Sequence, residues 1–380
     1  MSRRRSTSSI TVDLAKRAAI DLGFANHYLF PSMFAAEAQP TPLPESPISQ
    51  ELTAEWQEIV AMVTPFLGEV RQQLAAQVTA FDPGIAPYAE YALASQGKQL
   101  RATLTGLAAN SIGGWNDDTV KAAVIIEMVH LATLLHDDIM DGAALRRNRP
   151  TLARKWDSTT AVLVGDCLFA NALRLAAEFP STDVCRAVSS ATRTVCSGEI
   201  LQNKQQGNLA LGQTDYFKVL RMKTGELFAL ACELGGSLAG GDPDETQALR
   251  EYGMALGTAY QVYDDCLDLF GSEADAGKSL GTDIAGGKAT LPVILLCEQA
   301  GPDIHAQLNQ MIQRWDDAEL NILRGWLSEF NALEQSQSKL ESCLDEARDA
   351  LGALHESAHR DALLELTRFL AQQSAGLGVG

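Results

Sequence analysis

At 380 residues, 46% of them hydrophobic, the chain can bury a substantial core, and its formal net charge of −18 excludes nucleic acid or an anionic lipid surface as the main partner. Its seven cysteines form no CxxC and pair with no histidine, which excludes a disulfide framework or a zinc site and reads as an intracellular, cytoplasmic chain.

In chain order, Arg3-Arg4-Arg5 opens a stretch that lacks the apolar run of a secretory signal, and Asp13 and Asp21 argue against a transit peptide. Pro40, Pro42, Pro44 and Pro47 then give a linker composition. Residues 1–48 are therefore expected to be a leader and Pro-rich linker, disordered or loosely helical, and residues 49–380 one all-α domain. Through that domain Ala, Leu, Glu, Gln and Arg dominate, apolar residues recur at three and four, and period-two β-branched runs are nearly absent. Breaks are expected at Pro83-Gly84, Gly113-Gly114, Arg149-Pro150, Phe179-Pro180, Gly235-Gly236, Gly240 to Pro243, 271–292 and Gly301-Pro302. Their spacing predicts long helices packed side by side, without a solenoid repeat. The most apolar stretch, Val120 to Leu135, is interrupted by Lys121, Glu127 and His130 and is too short to span a membrane.

The chemistry is placed along this helical framework. Lys98 and Arg101, in Gly97-Lys98-Gln99-Leu100-Arg101, stand three apart and on a helix would aim at one anion. A predicted helix over 119–141 ends in Asp137-Asp138-Ile139-Met140-Asp141, and a second over 247–269 ends in Asp264-Asp265-Cys266-Leu267-Asp268. In each motif the first and last Asp share a helix face with the middle one beside them, so the cluster repels itself unless a cation sits on it. Oxygen donors without Cys or His suit a hard ion, and Mg2+ completes its shell with phosphate oxygens. Two such clusters facing each other would hold a diphosphate between metal ions. The segment Gly281 to Ala289 mimics a phosphate-binding P-loop, but its glycine spacing is one residue off and Ala289 replaces the required Ser or Thr. A nucleotide-hydrolysing reading is set aside.

The run Leu134-Leu135-His136-Asp137-Asp138-Ile139-Met140-Asp141 continuing to Arg146-Arg147, with Asp264-Asp265-x-x-Asp268, Gly277 to Asp283 and Lys288 to Pro292, resembles the trans-isoprenyl diphosphate synthase (polyprenyl synthetase) family. The likeness is closest to the medium- and long-chain polyprenyl diphosphate synthases and covers roughly residues 50 to 370. The resemblance implies an isoprenoid synthase bundle of long helices around a central apolar cavity, and a homodimer. It implies a prenyltransferase that condenses isopentenyl diphosphate head to tail with an allylic diphosphate, using three Mg2+ ions for which Mn2+ can substitute. Peripheral membrane contact would release the product.

Residue by residue, the resemblance makes Asp137, Asp138, Asp141, Asp264, Asp265, Asp268 and Asp283 metal-site acids. Lys98, Arg101, His130 and Arg147 match the isopentenyl diphosphate site. Arg146, Lys223, Thr224, Gln261, Lys278 and Lys288 match the site of the leaving allylic diphosphate. The departing diphosphate would accept the final proton, so no separate base is required. Ala132 and Thr133, just before the first motif, resemble the long-chain synthases, with Met128 and Ile125 one and two turns deeper along the expected path of the tail. Two features depart from the family: Asn148 stands where glycine is usual after the arginine pair, and the C-terminus lacks a basic ending. Two other readings compete. A terpene cyclase of the same fold has no use for Lys98, Arg101 and Arg147 as a second diphosphate site. A catalytically silent regulatory subunit would have lost site residues, and none is missing.

Overall fold

Two long helices end in the acidic motifs, and their boundaries follow from local sequence. The first-motif helix, Asp117–Met140, starts at a capping box in which Asn116 and Thr119 each accept the other's backbone N–H, with Asp117 and Asp118 in the positive first turn. Its apolar residues run around the whole circumference, which is the pattern of a helix surrounded by protein. Ala122 through Val129 are all buried. The second-motif helix, Pro243–Phe270, starts at a second capping box, Asp242 with Glu245, and Pro243 sits where a missing N–H costs nothing.

The computed structural model describes residues 54–380 apart from 95–96, 148, 273–279 and 379–380. The leader, Lys278 and Asn148 therefore lie outside the described residues. Residues 51–380 cluster as one unit. The chain is all-α; among the described residues strand occurs only as Leu145–Arg146 paired antiparallel with Arg149–Pro150. Helix Glu226–Leu238 packs on the second-motif helix and on helix Leu100–Ile112, while the first-motif helix packs on helix Ser158–Ala176. The second-motif helix also lies against helix Ala332–Ala350.

Three sequence expectations change here. Gly235-Gly236 does not break a helix: both lie inside Glu226–Leu238, and a Cβ on Gly235 would stand 2.5 Å from the Thr105 carbonyl oxygen. The glycine serves close helix approach rather than a turn. Lys98 and Arg101 do not share a helix face, because the helix starts at Leu100 and Gln99 before it is left-handed, φ 49°. The apolar stretch around Val120 is longer than expected. Helices Asp117–Met140 and Ser158–Ala176 both have the length and mean hydropathy (1.4 and 1.3) of a membrane span, but 72% of the first window is buried within the protein.

Candidate active site

The last turn of the first-motif helix sends its three carboxylates to different partners. Asp137 is held up to about 6, above the ordinary carboxylate range, by burial. Lys223 opposes that shift, and the neighbouring charges of Glu199 and Asp141 add to it. Asp138 turns inward and is 4% exposed; the Arg146 Nε donates to its Oδ1 at 2.7 Å. Asp141 accepts from Lys288 Nζ at 2.9 Å, a contact between residues 147 positions apart. Burial alone would lower the Lys288 ammonium, but the hydrogen bond and charge of Asp141, then the charge of Asp283, raise it instead.

The second motif is arranged differently. Asp264 is half-buried, and its charge joins burial in pushing the Tyr260 phenol up to about 12. Asp265 is buried, accepting from Tyr216 Oη at 2.5 Å and from Gln261 Nε2 at 2.9 Å. Asp268 is fully buried: it accepts from Thr282 Oγ1 at 2.9 Å and from the Asp283 backbone N–H at 3.1 Å. It ties the second motif to the segment that ends in Lys288. The sequence treats all six motif carboxylates alike, whereas burial separates Asp138, Asp265 and Asp268 from the more exposed Asp137, Asp141 and Asp264.

Lys223 and Thr224 sit on a π-helical turn, Arg221–Gly225, inserted between helices Gln213–Leu220 and Glu226–Leu238. Such a turn shifts the register of the side chains beyond it and recurs at functional positions. Lys223 Nζ lies 2.6 Å from Glu199 and donates to Gln202 Oε1 at 2.8 Å. Thr224 Oγ1 donates to Gln261 Oε1 at 2.8 Å.

A second group of cations gathers around a buried acid. Arg101 is enclosed, its guanidinium carbon 4.9 Å from the centre of the Phe228 ring, and among the described residues its Nε has no hydrogen-bond partner. Glu127 is buried near it, charge-coupled to Arg101 and Arg147, and accepts the Ala102 N–H at 3.1 Å. Arg147 has φ 51°, a strained conformation for a residue with a side chain, and its guanidinium fills the space where a Cβ on Gly97 would lie. Lys98 is lowered by burial and then by Arg147. His130 is lowered well below its ordinary value by burial, then by Arg101, Arg147 and Arg146, so its ring is neutral.

Ile125, Met128 and Ala132 are fully buried on the first-motif helix, with Thr133 half-buried beside them. Asn171 Nδ2 rests 3.9 Å from the Met128 sulfur. Sequence reasoning missed Glu127, Glu199, Gln202 and Tyr216. Glu199 and Gln202 stand three apart on an amphipathic helix, a pattern shared with any solvated face. Tyr216 carries no sequence signal at all.

The residues fit a divalent cation. Asp137 and Asp141 are hard oxygen donors whose mutual repulsion an ion would relieve. Among the described residues no three His, Cys, Asp or Glu side chains converge tightly enough to cage an ion alone. An ion here would take part of its shell from phosphate oxygens, as Mg2+ does.

All-α architecture, two helix ends rich in Asp, and two separate sets of cations define a helical transferase that handles two diphosphates. The polyprenyl synthetase family model matches residues 83–324, and the chain belongs to that family. It is 30% identical to the octaprenyl diphosphate synthase of Haemophilus influenzae over 310 residues, covering 81% of this chain and 94% of that protein. It is 33% identical to the geranyl-diphosphate-specific all-trans-nonaprenyl-diphosphate synthase of Rhodobacter capsulatus over 311 residues, covering 80% and 95%. The crystal structure of a polyprenyl synthase from Caulobacter crescentus, complexed with calcium and isoprenyl diphosphate, superimposes with a TM-score of 0.78 at 36% identity, covering 83% of this chain and 97% of that one. The protein is a prenyltransferase, and dependence on divalent metal is general in its family.

Proposed function

We propose that this chain extends an allylic diphosphate by successive head-to-tail addition of isopentenyl diphosphate, releasing diphosphate each time and making a polyprenyl product of about 20 carbons or more. The observation that carries the reading is the Lys288–Asp141 contact at 2.9 Å. It brings Lys288, from the segment after the second motif, against the last Asp of the first motif, which supports a site shared by both halves of the chain.

On the allylic side, Asp137, Asp141 and Asp264 face the leaving group, Arg146, Lys223, Lys288 and Gln261 supply donors to its oxygens, and Thr224 holds the Gln261 amide in place. Mg2+ held by those acids would stabilise the negative charge that grows on the diphosphate as the carbon–oxygen bond breaks. We take the number of ions as three, with Mn2+ able to replace Mg2+. Fixed cations already in place stabilise that charge more than the ground state, which is what accelerates bond cleavage. On the other side, Lys98, Arg101 and Arg147 hold isopentenyl diphosphate, and Glu127 balances the buried positive charge. Neutral His130 adds a hydrogen bond without raising that charge further. The isopentenyl double bond attacks the allylic carbon, a carbon–carbon bond forms, and the departing diphosphate accepts the proton that is lost. Lys278 matches the leaving-group site by resemblance.

We assign the working form as a cytoplasmic homodimer that touches membrane only to release product. An apolar stripe on helix Ser158–Ala176 supports the dimer: Val162, Leu163 and Leu173 are 40%, 58% and 38% exposed. Incubating the purified protein with isopentenyl diphosphate, several allylic primers and Mg2+, then sizing the dephosphorylated products, tests the reading. Polyprenyl alcohols are expected; products that are cyclic, or absent with every primer, would sink it.

A further inference from the structure

We infer that Tyr216 is a positioning residue for the allylic diphosphate, acting through a buried chain of hydrogen bonds, and that Asp265 is the middle of that chain rather than a metal ligand. Tyr216 comes from helix Gln213–Leu220 and is 4% exposed. Its hydroxyl donates to Asp265 Oδ2 at 2.5 Å; Gln261 Nε2 donates to Asp265 Oδ1 at 2.9 Å; Thr224 Oγ1 donates to Gln261 Oε1 at 2.8 Å. The four residues come from three separate stretches of the chain: the helix before the π-helical turn, the turn itself and the second-motif helix.

The phenol and the Gln261 amide nitrogen both donate to Asp265, one to each carboxyl oxygen. That sets the Gln261 amide with nitrogen toward Asp265 and oxygen toward Thr224. One N–H of Gln261 remains to be aimed at a diphosphate oxygen, and the Thr224 hydroxyl is held beside it. With Asp265 5% exposed and each oxygen already taken, the carboxylate is turned to the protein interior. Removing the phenol hydroxyl would leave Oδ2 buried and unpaired, a costly state that the carboxylate relieves by rotating toward the amide. Gln261 would then lose its aim. The inference rests on the allylic-side reading above.

The test uses the full chain as wild type, Tyr216→Phe, Asp265→Asn and the double variant. Each is titrated calorimetrically with an unreactive thio analogue of an allylic diphosphate in Mg2+, and with Mn2+ alone by electron paramagnetic resonance; KM for isopentenyl diphosphate is measured alongside. Both single variants are expected to bind the analogue about tenfold more weakly, the loss of one buried hydrogen bond. The double variant should be within about twofold of the weaker single one, because the two residues act through one chain. Mn2+ affinity and the isopentenyl KM should stay within about twofold of wild type, a split that general damage to the fold would not produce. Loss of Mn2+ binding in Asp265→Asn would make it a ligand and overturn the inference. Unchanged analogue binding in Tyr216→Phe, or equal losses for both substrates, would overturn it too. If Tyr216→Phe does not fold, the contrast between metal and analogue in Asp265→Asn decides alone. Wild type that bound neither analogue nor Mn2+ would instead refute the allylic site itself, and the inference with it.

Discussion

Asp137 concentrates the conflict at this site, because it is partly buried among other acids yet must be ionised to serve. Its folded value of about 6 lies above the ordinary one. Between pH about 4 and 6 the unfolded chain therefore ionises this group more readily than the folded one, and stability falls as pH rises through that window. Without metal, Asp137→Asn is expected to raise the melting temperature by several degrees at pH 8 and to leave it unchanged near pH 4; no gain at pH 8 would mean the carboxylate is not strained. The same substitution should reduce turnover by several orders of magnitude, since it removes a donor from the leaving-group side. Arg101 gives the opposite signature. Arg101→Ala should mainly raise KM for isopentenyl diphosphate, by about tenfold or more for a buried charged contact. A change confined to the allylic substrate would reverse the two diphosphate sites.

Among the elements, the two-strand hairpin does the most with the fewest residues. It carries Arg146 to Asp138 and Arg147 to the opposite set of cations, so in the proposed reading one hairpin would serve both diphosphates. The C-terminal end of helix Ala86–Leu93 holds it: Tyr91 Oη donates to the Pro150 carbonyl at 2.7 Å, and Arg149 stacks 4.6 Å from the Tyr91 ring centre. The first-motif helix supplies the other element-scale control. Ile125, Met128 and Ala132 recur on one buried side below the carboxylates, and an isoprene unit spans about one helical turn, ~5.4 Å. Ala132→Phe is expected to fill the space near the top and shorten the product to about 15 carbons, whereas Met128→Ala should leave the length unchanged or increase it. Chromatographic sizing of both product sets checks this, and an unchanged distribution for Ala132→Phe would place the tail elsewhere.

For the whole molecule, acids and cations from distant stretches meet only when the helices are packed, and their work depends on divalent metal. Turnover should vanish in excess EDTA and return with Mg2+ or Mn2+; activity that survives chelation would refute the mechanism. The exposed stripe on helix Ser158–Ala176 leads to a second expectation at this scale. Leu163, 58% exposed, lies in an apolar patch of the kind that marks an interface. Leu163→Asp should shift the sedimentation of the protein from dimer to monomer; wild type that sediments as a monomer would remove the assignment.

The sequence by itself determined the helical class and the two acidic motifs at helix ends. Each depends on local spacing, and a helix places residues four apart on one face wherever it lies. The division of the cations into Lys98, Arg101 and Arg147 on one side and Lys223 and Lys288 on the other rests on the family resemblance rather than on spacing. Only the tertiary structure decided which carboxylates turn inward. Asp138, Asp265 and Asp268 have the same local sequence signal as Asp137, Asp141 and Asp264, and what buries them comes from other segments, among them Arg146, Tyr216 and Thr282. Long-range packing likewise decided that Gly235 joins two helices instead of ending one, and that Lys98 precedes its helix. It also placed Glu127, Glu199 and Tyr216, whose spacing in sequence is that of any buried or solvated helical residue. Burial and the pairing of buried polar groups depend on what arrives from elsewhere in the chain, and a linear pattern does not contain that.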